Sequence, residues 1–259
     1  GSDPSMIKTK ATYQSGKWIV NGLKWYITGA GVASHFILLA KTNDGLTAFL
    51  YHKDQPGWNI KRRIPIMGPE EHGGHCEIEF NGLQIPDKNR LGEVGKGLKI
   101  VQIRLGLARL THCMRWIGLS RRSLEIALDY VSHREGFGIK LSDRESVQIK
   151  LGKAAMDIDI ARLLVMRAAW KIENGSKSRQ DVSMAKIHVA ETLNNVSDTA
   201  IQLTGAKGYS KDIILGWIYR YARQAKLVDG ASEVHQMIIN RFFNSQKSNF
   251  WHWGIGHDV

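Results

Sequence analysis

An aspartate–glycine pair, Asp229-Gly230, stands between two stretches of helical periodicity, residues 217–226 and 233–243. Asp-Gly favours a turn, because glycine accepts positive φ angles and aspartate hydrogen-bonds to its own backbone. The carboxylate therefore lies at a helix–helix joint, close to the free N–H groups and the positive dipole end of the second helix. Two interpretations are open: a helix cap, which the spacing alone favours, or a general base held on a rigid corner.

The composition is that of an ordinary globular protein with a basic surplus. The chain has 259 residues, of which 43% are hydrophobic and 23% charged, enough for two domains. No run of eighteen apolar residues occurs, so no membrane span is expected. The net charge of +12 suits nucleic acid, a polyphosphate cofactor or an acidic partner domain. Cys76 and Cys113 provide neither a disulfide framework nor metal-ligand spacing, so no metal site is predicted.

Residues 1–94 predict an antiparallel β-domain, a small sandwich or barrel. Short strand-like segments alternate with turn residues. Asn21-Gly22 is interpreted as a hairpin turn, and Asn81-Gly82, Asn43–Gly45 and Pro56-Gly57 as further turns. The segments are 17–20, 23–28, 36–40, 46–51, 58–60, 75–80 and 83–85.

From Gly97 onward the apolar residues repeat with the period of a helix. Three long stripes indicate an antiparallel helical bundle over residues 95–259, with a turn at 173–176 between the second and third. The fold class is therefore α+β. The stripes comprise Cys113, Ile117, Leu124, Leu128 and Val131; Val147, Leu151, Ala155, Ile158, Val165, Ala169 and Ile172; and Ala185, Val189, Leu193, Val196, Ala200 and Leu203.

Local strings in both parts of the chain, read together, resemble the acyl-CoA dehydrogenase family. The resemblance covers nearly the whole chain and implies a middle β-domain over 1–94 and a C-terminal helical domain over 95–259, without the family's N-terminal helical domain. Asp229-Gly230 followed by Glu233-Val234-His235 is most similar to the subset formed by vertebrate members 10 and 11. The strings are Gly1-Ser2-Asp3, Trp25–Gly29, Ile66–Gly68, Ile85-Pro86, Asn89–Gly92, Gly95–Leu98, Arg109, Arg134 with Phe137-Gly138, Gln202–Gly208 and Arg220–Gly230.

The resemblance implies FAD-dependent oxidation of an acyl-CoA thioester to trans-2-enoyl-CoA. A carboxylate removes the α-proton while the β-hydrogen leaves as a hydride to flavin N5. Such a base works best when burial raises its pKa toward neutrality. Asp229 takes the place of the family's catalytic glutamate. Because aspartate is one methylene shorter, the base stands further back from the substrate.

The resemblance also implies a set of binding residues, each of which has an ordinary structural alternative. An aromatic residue in a strand is usually core, an arginine at a helix end usually a solvated dipole partner, and a glycine after a helix usually a C-cap. Arg134 is expected to reach the FAD of a neighbouring subunit. The implied FAD contacts are Tyr26, Ile27, Thr28, Arg134, Phe137, Gln202, Gly205 and Ala206, and the implied substrate contacts are Ser2, Arg109 and Gly230.

The implied partners are an acyl-CoA substrate, electron-transfer flavoprotein as electron acceptor, and further copies of the chain in a homodimer or homotetramer. No nucleic-acid partner is expected. The location is cytoplasmic for a prokaryotic protein, and mitochondrial or peroxisomal for a eukaryotic one. Two alternatives remain open. A DNA-binding flavoprotein on the same scaffold suits the positive charge, although Lys and Arg are spread through both domains. An acyl-CoA oxidase would let oxygen reach the reduced flavin.

Overall fold

The computed structural model describes residues 2–245 as a seven-stranded sheet followed by a group of helices, which confirms the predicted α+β class. The chain divides into two compact units, the first ending at Ala108 and the second beginning at Arg109. The strands are β1 Lys10–Gln14, β2 Lys17–Thr28, β3 His35–Thr42, β4 Gly45–His52, β5 Trp58–Arg63, β6 His75–Pro86 and β7 Arg90–Leu91, with a separate pair, β8 Glu135–Gly136 and β9 Ile139–Lys140. The helices are α1 Gly97–His133, α2 Glu145–Glu173, α3 Arg179–Thr204, α4 Ala206–Tyr209, α5 Leu215–Ala222 and α6 Ser232–Ser245.

The sheet of the first unit has the strand order β5-β6-β2-β1-β3-β4-β7. Its pairings are antiparallel except for a short parallel contact between β1 and β3. Tyr51 on β4 lies 5.4 Å from Trp58 on β5 and 5.8 Å from Phe80 on β6, measured between ring centroids. Side chains of β4, β5 and β6 thus share one core although β4 lies at the other side of the strand order, which is consistent with the predicted sandwich or barrel.

The predicted hairpin at Asn21-Gly22 is wrong, because both residues lie inside the single strand β2. Likewise, Asn81-Gly82 lies inside β6. The two strands pair with each other, and the register shifts at Asn21, whose Oδ1 accepts a hydrogen bond of 2.8 Å from the N–H of Gly82. A β-bulge and a hairpin turn both favour glycine at a positive φ, so the local sequence does not distinguish them.

The hairpin that β2 does form was not predicted. It joins β1 to β2 through Ser15 and Gly16, whose φ angles are +46° and +83°. The turns predicted at Asn43–Gly45 and Pro56-Gly57 are confirmed, since β4 begins at Gly45 and β5 directly after Gly57. Turn chemistry located these two because no strand pairing competes with them there.

Helix α2 of the second unit runs antiparallel to both α1 and α3. One core cluster joins Trp116 near the start of this unit to Val165 in the second half of α2 and Val189 in the first half of α3. Another cluster joins Val131 at the end of α1 to Val147 at the start of α2 and Ala200 near the end of α3. This confirms the predicted bundle for the described residues, while 246–259 lie outside them. Within 2–245, no helix combines the length and the apolar character that crossing a membrane requires.

The three predicted apolar stripes agree with the observed burial to different degrees. All members of the third stripe, on α3, are buried. On α1 and α2 the stripes were misplaced by a residue at several positions: Leu128, Ala155 and Ala169 are exposed, whereas the preceding residues, all alanines, are buried. Small residues allow helices to approach closely, and buried serines on α1 satisfy their hydroxyls on helix carbonyls. A pattern based on large apolar residues overlooks both effects.

Candidate functional site

The Asp229-Gly230 corner lies between a short 3-10 turn, Arg223–Lys226, and helix α6. Asp229 has a φ of +54° and Gly230 a φ of +102°. A left-handed conformation is uncommon for a residue with a side chain and costs about 1–2 kcal/mol. Since α6 begins at Ser232, its N-cap position falls on Ala231, whose carbonyl accepts hydrogen bonds from the backbone of Val234 and His235. Asp229 itself is therefore not the cap residue.

Three side chains from three helices hold the backbone of this corner. The carbonyl of Asp229 accepts hydrogen bonds from Nε of Arg109 at 2.9 Å and Nε2 of His235 at 3.2 Å. The carbonyl of Gly230 accepts one from Nζ of Lys186 at 2.8 Å. Lys186 and His235 are fully buried. The strained corner is thus fixed from α1, α3 and α6 together.

The carboxylate of Asp229 lies beside the imidazole of His112. Nε2 of His112 is 3.2 Å from Oδ2 of Asp229, and the Asp229 side chain is only 17% exposed. On the other side of the ring, Nη2 of Arg115 lies 2.8 Å from Nδ1 of His112. A largely buried carboxylate held against a nitrogen donor has the chemistry of a general base or of a buried ion pair.

Burial shifts the pKa values of several groups around the corner. It lowers the pKa of Lys186 to about 8 and that of His235 to about 4. It also raises the pKa of the Cys113 thiol to about 12, so this cysteine stays protonated at neutral pH. Desolvation likewise lowers the pKa of Arg109, against the attraction of Asp229. At neutral pH the corner therefore has two cations, Arg109 and Lys186, and a neutral His235.

Tyr26 and Thr28, two of the implied flavin contacts, lie at a bulge of β2 in the first unit. The register against β6 shifts between Lys24 and Ile27, and Tyr26 has a φ of +64°. The ring of Tyr26 is partly exposed and stacks on His75 at 4.8 Å. Oγ1 of Thr28 lies 2.9 Å from Nδ1 of the same histidine. Bulges commonly re-aim side chains beside functional sites.

Two further residues of the first unit were predicted. Ile27 is half-buried and packs against the core of the sheet. Ser2 is exposed just before a short 3-10 helix, Pro4–Met6. Gly1 of the same string lies outside the described residues.

The implied FAD residues of the second unit lie at the opposite end of the bundle from Asp229. Arg134 follows α1 and is exposed, as is Phe137, which has a φ of +56°. Exposed Gln202, Gly205 and Ala206 lie where α3 ends and α4 begins. Along α1, residue 133 is about 36 Å from residue 109 at 1.5 Å per residue. The structure thus brings Arg109 and Gly230 to Asp229, and separates Arg134 from all three.

Backbone strain coincides with the predicted positions. Among residues 2–245, the non-glycine residues with positive φ are Ser15, Tyr26, Phe137 and Asp229. Ser15 belongs to a hairpin turn, where such an angle is ordinary. The other three are positions that the resemblance assigned to the base and the flavin. Strain of this kind is often concentrated at functional sites.

Both parts of the chain match models of one protein family. Residues 1–83 match the acyl-CoA dehydrogenase middle domain, and residues 95–243 match the acyl-CoA dehydrogenase C-terminal domain. The chain belongs to the acyl-CoA dehydrogenase family. The predicted family resemblance is thereby confirmed.

Named relatives agree with this membership. The probable acyl-CoA dehydrogenase FadE2 of Mycobacterium tuberculosis is 36% identical, over 96% of this chain and 64% of its own length. Acyl-CoA dehydrogenase family member 11 of Gallus gallus is 34% identical, over 93% of this chain and 33% of its own length. The second relative belongs to the subset that the sequence indicated. The chain therefore spans from a third to under two thirds of these relatives.

Solved structures share the fold. Butyryl-CoA dehydrogenase from Megasphaera elsdenii superimposes with a TM-score of 0.89 and 31% identity, over 94% of this chain and 65% of that one. A structure described as PigA with FAD and proline superimposes with a TM-score of 0.90 and 29% identity, over the same shares of the two chains. The acyl-CoA dehydrogenase fold thus accounts for both units of the chain.

Sequence reasoning assigned no role to several residues of this family member's site. Lys186 follows Ala185 of the buried stripe on α3, and its own full burial has no local sequence signal. His112 and His235 were noted only as parts of subset strings. His75 had no local signal, because its partners Tyr26 and Thr28 meet it only through the pairing of β2 with β6.

Proposed function

We propose that the chain carries the base and part of the flavin site of an FAD-dependent acyl-CoA dehydrogenase, which converts an acyl-CoA thioester into the trans-2-enoyl-CoA. The observation that carries the proposal is the constrained Asp229: a largely buried carboxylate on a left-handed corner whose carbonyl two side chains hold. Proton abstraction from carbon gains from a base already oriented toward its substrate.

In the proposed reaction, Asp229 accepts the α-proton of the thioester. FAD, when bound, supplies the acceptor for the β-hydrogen, which leaves as a hydride. The negative charge that develops on the thioester carbonyl requires hydrogen-bond donors near it. Gly230 and Arg109 adjoin the base, and we propose both, together with Ser2, as substrate contacts. The shorter aspartate requires that the substrate be seated deeper than it would be with glutamate.

The residues of β2 fit a flavin. The partly exposed ring of Tyr26 is held by its stacking on His75, and that histidine also engages the hydroxyl of Thr28. An exposed and immobilised aromatic face next to a hydroxyl suits a flat ring system that has polar edges. We therefore propose that Tyr26, Ile27 and Thr28 contact the isoalloxazine of FAD.

We further propose that Arg134, Phe137, Gln202, Gly205 and Ala206 serve the FAD of a second copy of the chain, in a homodimer or homotetramer. Arg134 lies about 36 Å along α1 from Arg109, which bonds to the backbone of the proposed base. This distance argues against a single site that contains both Arg134 and the base of the same copy. Helix α2 offers a surface for association, because one of its faces is buried and another is apolar and exposed. The exposed face comprises Ile149, Met156, Ile160, Leu163, Met166 and Trp170.

Two finer assignments complete the proposal, and one alternative stays open. The boundary between the middle and C-terminal domains is placed between residues 94 and 95. Electron-transfer flavoprotein is the proposed electron acceptor. An oxidase, in which oxygen reoxidises the flavin directly, is distinguished by the rate at which air reoxidises the reduced protein.

The test uses the full-length protein loaded with FAD, titrated without oxygen against a panel of acyl-CoA thioesters. Asp229→Asn keeps the size of the side chain but removes the proton acceptor, so flavin reduction should slow by ~10²–10⁴-fold. Asp129→Asn, at an exposed position on α1, is the matched control and should behave as the parent. Asp229→Glu should remain active with a shifted preference for acyl-chain length. Reduction of the Asn variant at the parental rate would refute the proposed base.

A further inference from the structure

We infer that His112 is a positioning residue that aims Asp229, as the middle member of a directed chain from Arg115 through His112 to the carboxylate. The inference rests on the proposed role of Asp229 as the base. Nη2 of Arg115 lies 2.8 Å from Nδ1 of His112, and Nε2 of His112 lies 3.2 Å from Oδ2 of Asp229. No role for His112 follows from the base and flavin assignments alone.

The chemistry of arginine sets the direction of this chain. A guanidinium has N–H donors and no acceptor, so at 2.8 Å Arg115 donates to Nδ1 of His112. A ring nitrogen that accepts a hydrogen bond has no proton, and the neutral imidazole then has its proton on Nε2. Nε2 itself lies 3.2 Å from Oδ2 of Asp229. The neutral Nε2–H tautomer is thus the form of His112 that accepts from Arg115 and places a polar N–H group beside the carboxylate of Asp229.

Aromatic contacts hold both donors in place. The ring of His112 stacks on Trp116, one helical turn further along α1, with centroids 5.5 Å apart and planes 26° apart. Trp116 is itself buried. The guanidinium of Arg115 lies 5.5 Å from the centroid of the Tyr221 ring on α5. Arg115 and His112 are therefore held rigidly by residues of two helices, as side chains that orient a base need to be.

The two carboxylate oxygens of the proposed base, Asp229, therefore have different roles. Oδ2 is buried beside Nε2 of His112, while Arg109 and His235 hydrogen-bond to the backbone carbonyl of the same residue. This assigns acceptance of the α-proton to Oδ1. The α-proton would pass to Oδ1, and the electron pair of that C–H bond would form the new double bond as the β-hydrogen leaves as a hydride, for which bound FAD would be the acceptor. A shorter base reaches less far and depends more on its orientation.

The first test compares two replacements of His112 in the full-length, FAD-loaded protein. His112→Phe keeps a ring that can stack on Trp116 but removes the donor. His112→Gln removes the ring but keeps an N–H donor at similar reach. We expect flavin reduction to slow by ~10–100-fold in the Phe variant, because the carboxylate loses the polar group beside it, with little change in acyl-CoA binding. The Gln variant should recover most of the rate. The reverse order would show a packing role and overturn the inference.

A second test needs no turnover. Selective labelling with [¹⁵N]histidine, read by NMR without substrate, should show His112 neutral with its proton on Nε2. Arg115→Leu should shift the signals toward a mixture of tautomers. Arg122→Leu, a matched change at an exposed position of α1, should leave them unchanged. A proton on Nδ1 in the parent would overturn the inference.

The two proposals fail in different ways. If Asp229→Asn abolishes flavin reduction while His112→Phe matches the parent, His112 has no positioning role and the base stands. If Asp229→Asn reduces flavin normally, the base assignment itself is wrong.

Discussion

The ammonium group of Lys186 donates a hydrogen bond of 2.8 Å to the carbonyl of Gly230, from a side chain that is fully buried in α3. Burial lowers the pKa of this lysine from 10.5 to about 8. Between these two values the unfolded chain binds a proton that the folded chain does not. The free energy of unfolding should therefore rise with pH across that window.

Replacement of Lys186 by methionine should remove this pH dependence. The contribution of the lysine between pH 8 and 10.5 is at most about 3 kcal/mol. Urea unfolding of the parent and the variant at both pH values gives the difference directly. Lys150→Met, at an exposed position of α2, is the control and should keep the parental slope. Equal slopes for the parent and Lys186→Met would show that the lysine is solvated.

His235 should make the fold sensitive to acid. Burial lowers its pKa from 6.5 to about 4. Between pH 6.5 and pH 4 the unfolded chain therefore binds a proton at this residue that the folded chain does not bind. Stability therefore falls as the pH falls through that window, by up to about 3 kcal/mol from this residue. In His235→Gln this part of the loss should disappear, as measured by urea unfolding at pH 7 and 4.5. His133→Gln, at an exposed position, should retain it.

Gly230→Ala should strain the corner. Gly230 has a φ of +102°, and an added Cβ would lie 3.0 Å from Nε2 of His235, the atom that donates to the carbonyl of Asp229. We expect a loss of stability of about 1–2 kcal/mol and slower flavin reduction, because the base shifts. Gly152→Ala on α2 meets no atom within 4 Å and should instead stabilise the protein by about 0.5–1 kcal/mol. Thermal melts of both variants, with flavin reduction rates, provide the comparison.

Leu163→Lys tests the proposed association of α2 with a second copy. Leu163 is 65% exposed in the centre of the apolar face, so a charge there should weaken the assembly without disturbing the core. Light scattering of the full-length protein should show a smaller particle and FAD should bind less tightly. Met6→Lys changes an exposed apolar residue outside α2 and should leave the particle unchanged. A monomeric, FAD-loaded parent protein would contradict the proposed association.

The order of the two units and the corner at Asp229-Gly230 were predictable because they depend on local features. Each signal depends only on residues that are close in the sequence: the strand-like alternation, the 3.6-residue period of α3 and the turn preference of Asp-Gly. Local features did not predict the structure where two backbone conformations favour the same residues. Asn21-Gly22 satisfies a bulge as well as a hairpin, and only the pairing of β2 with β6 decides between them.

The candidate site shows the same division. The sequence alone determined that Asp229 is a carboxylate on a turn, and the family resemblance pointed to it as the base. The tertiary structure decided what surrounds it: Arg109 lies 120 positions away and Lys186 lies 44 positions before Gly230, yet both bond to the corner. His112 reaches the carboxylate from the same helix as Arg109. Such contacts arise because antiparallel helices bring distant segments together around a shared core, and local periodicity does not specify which residues then meet.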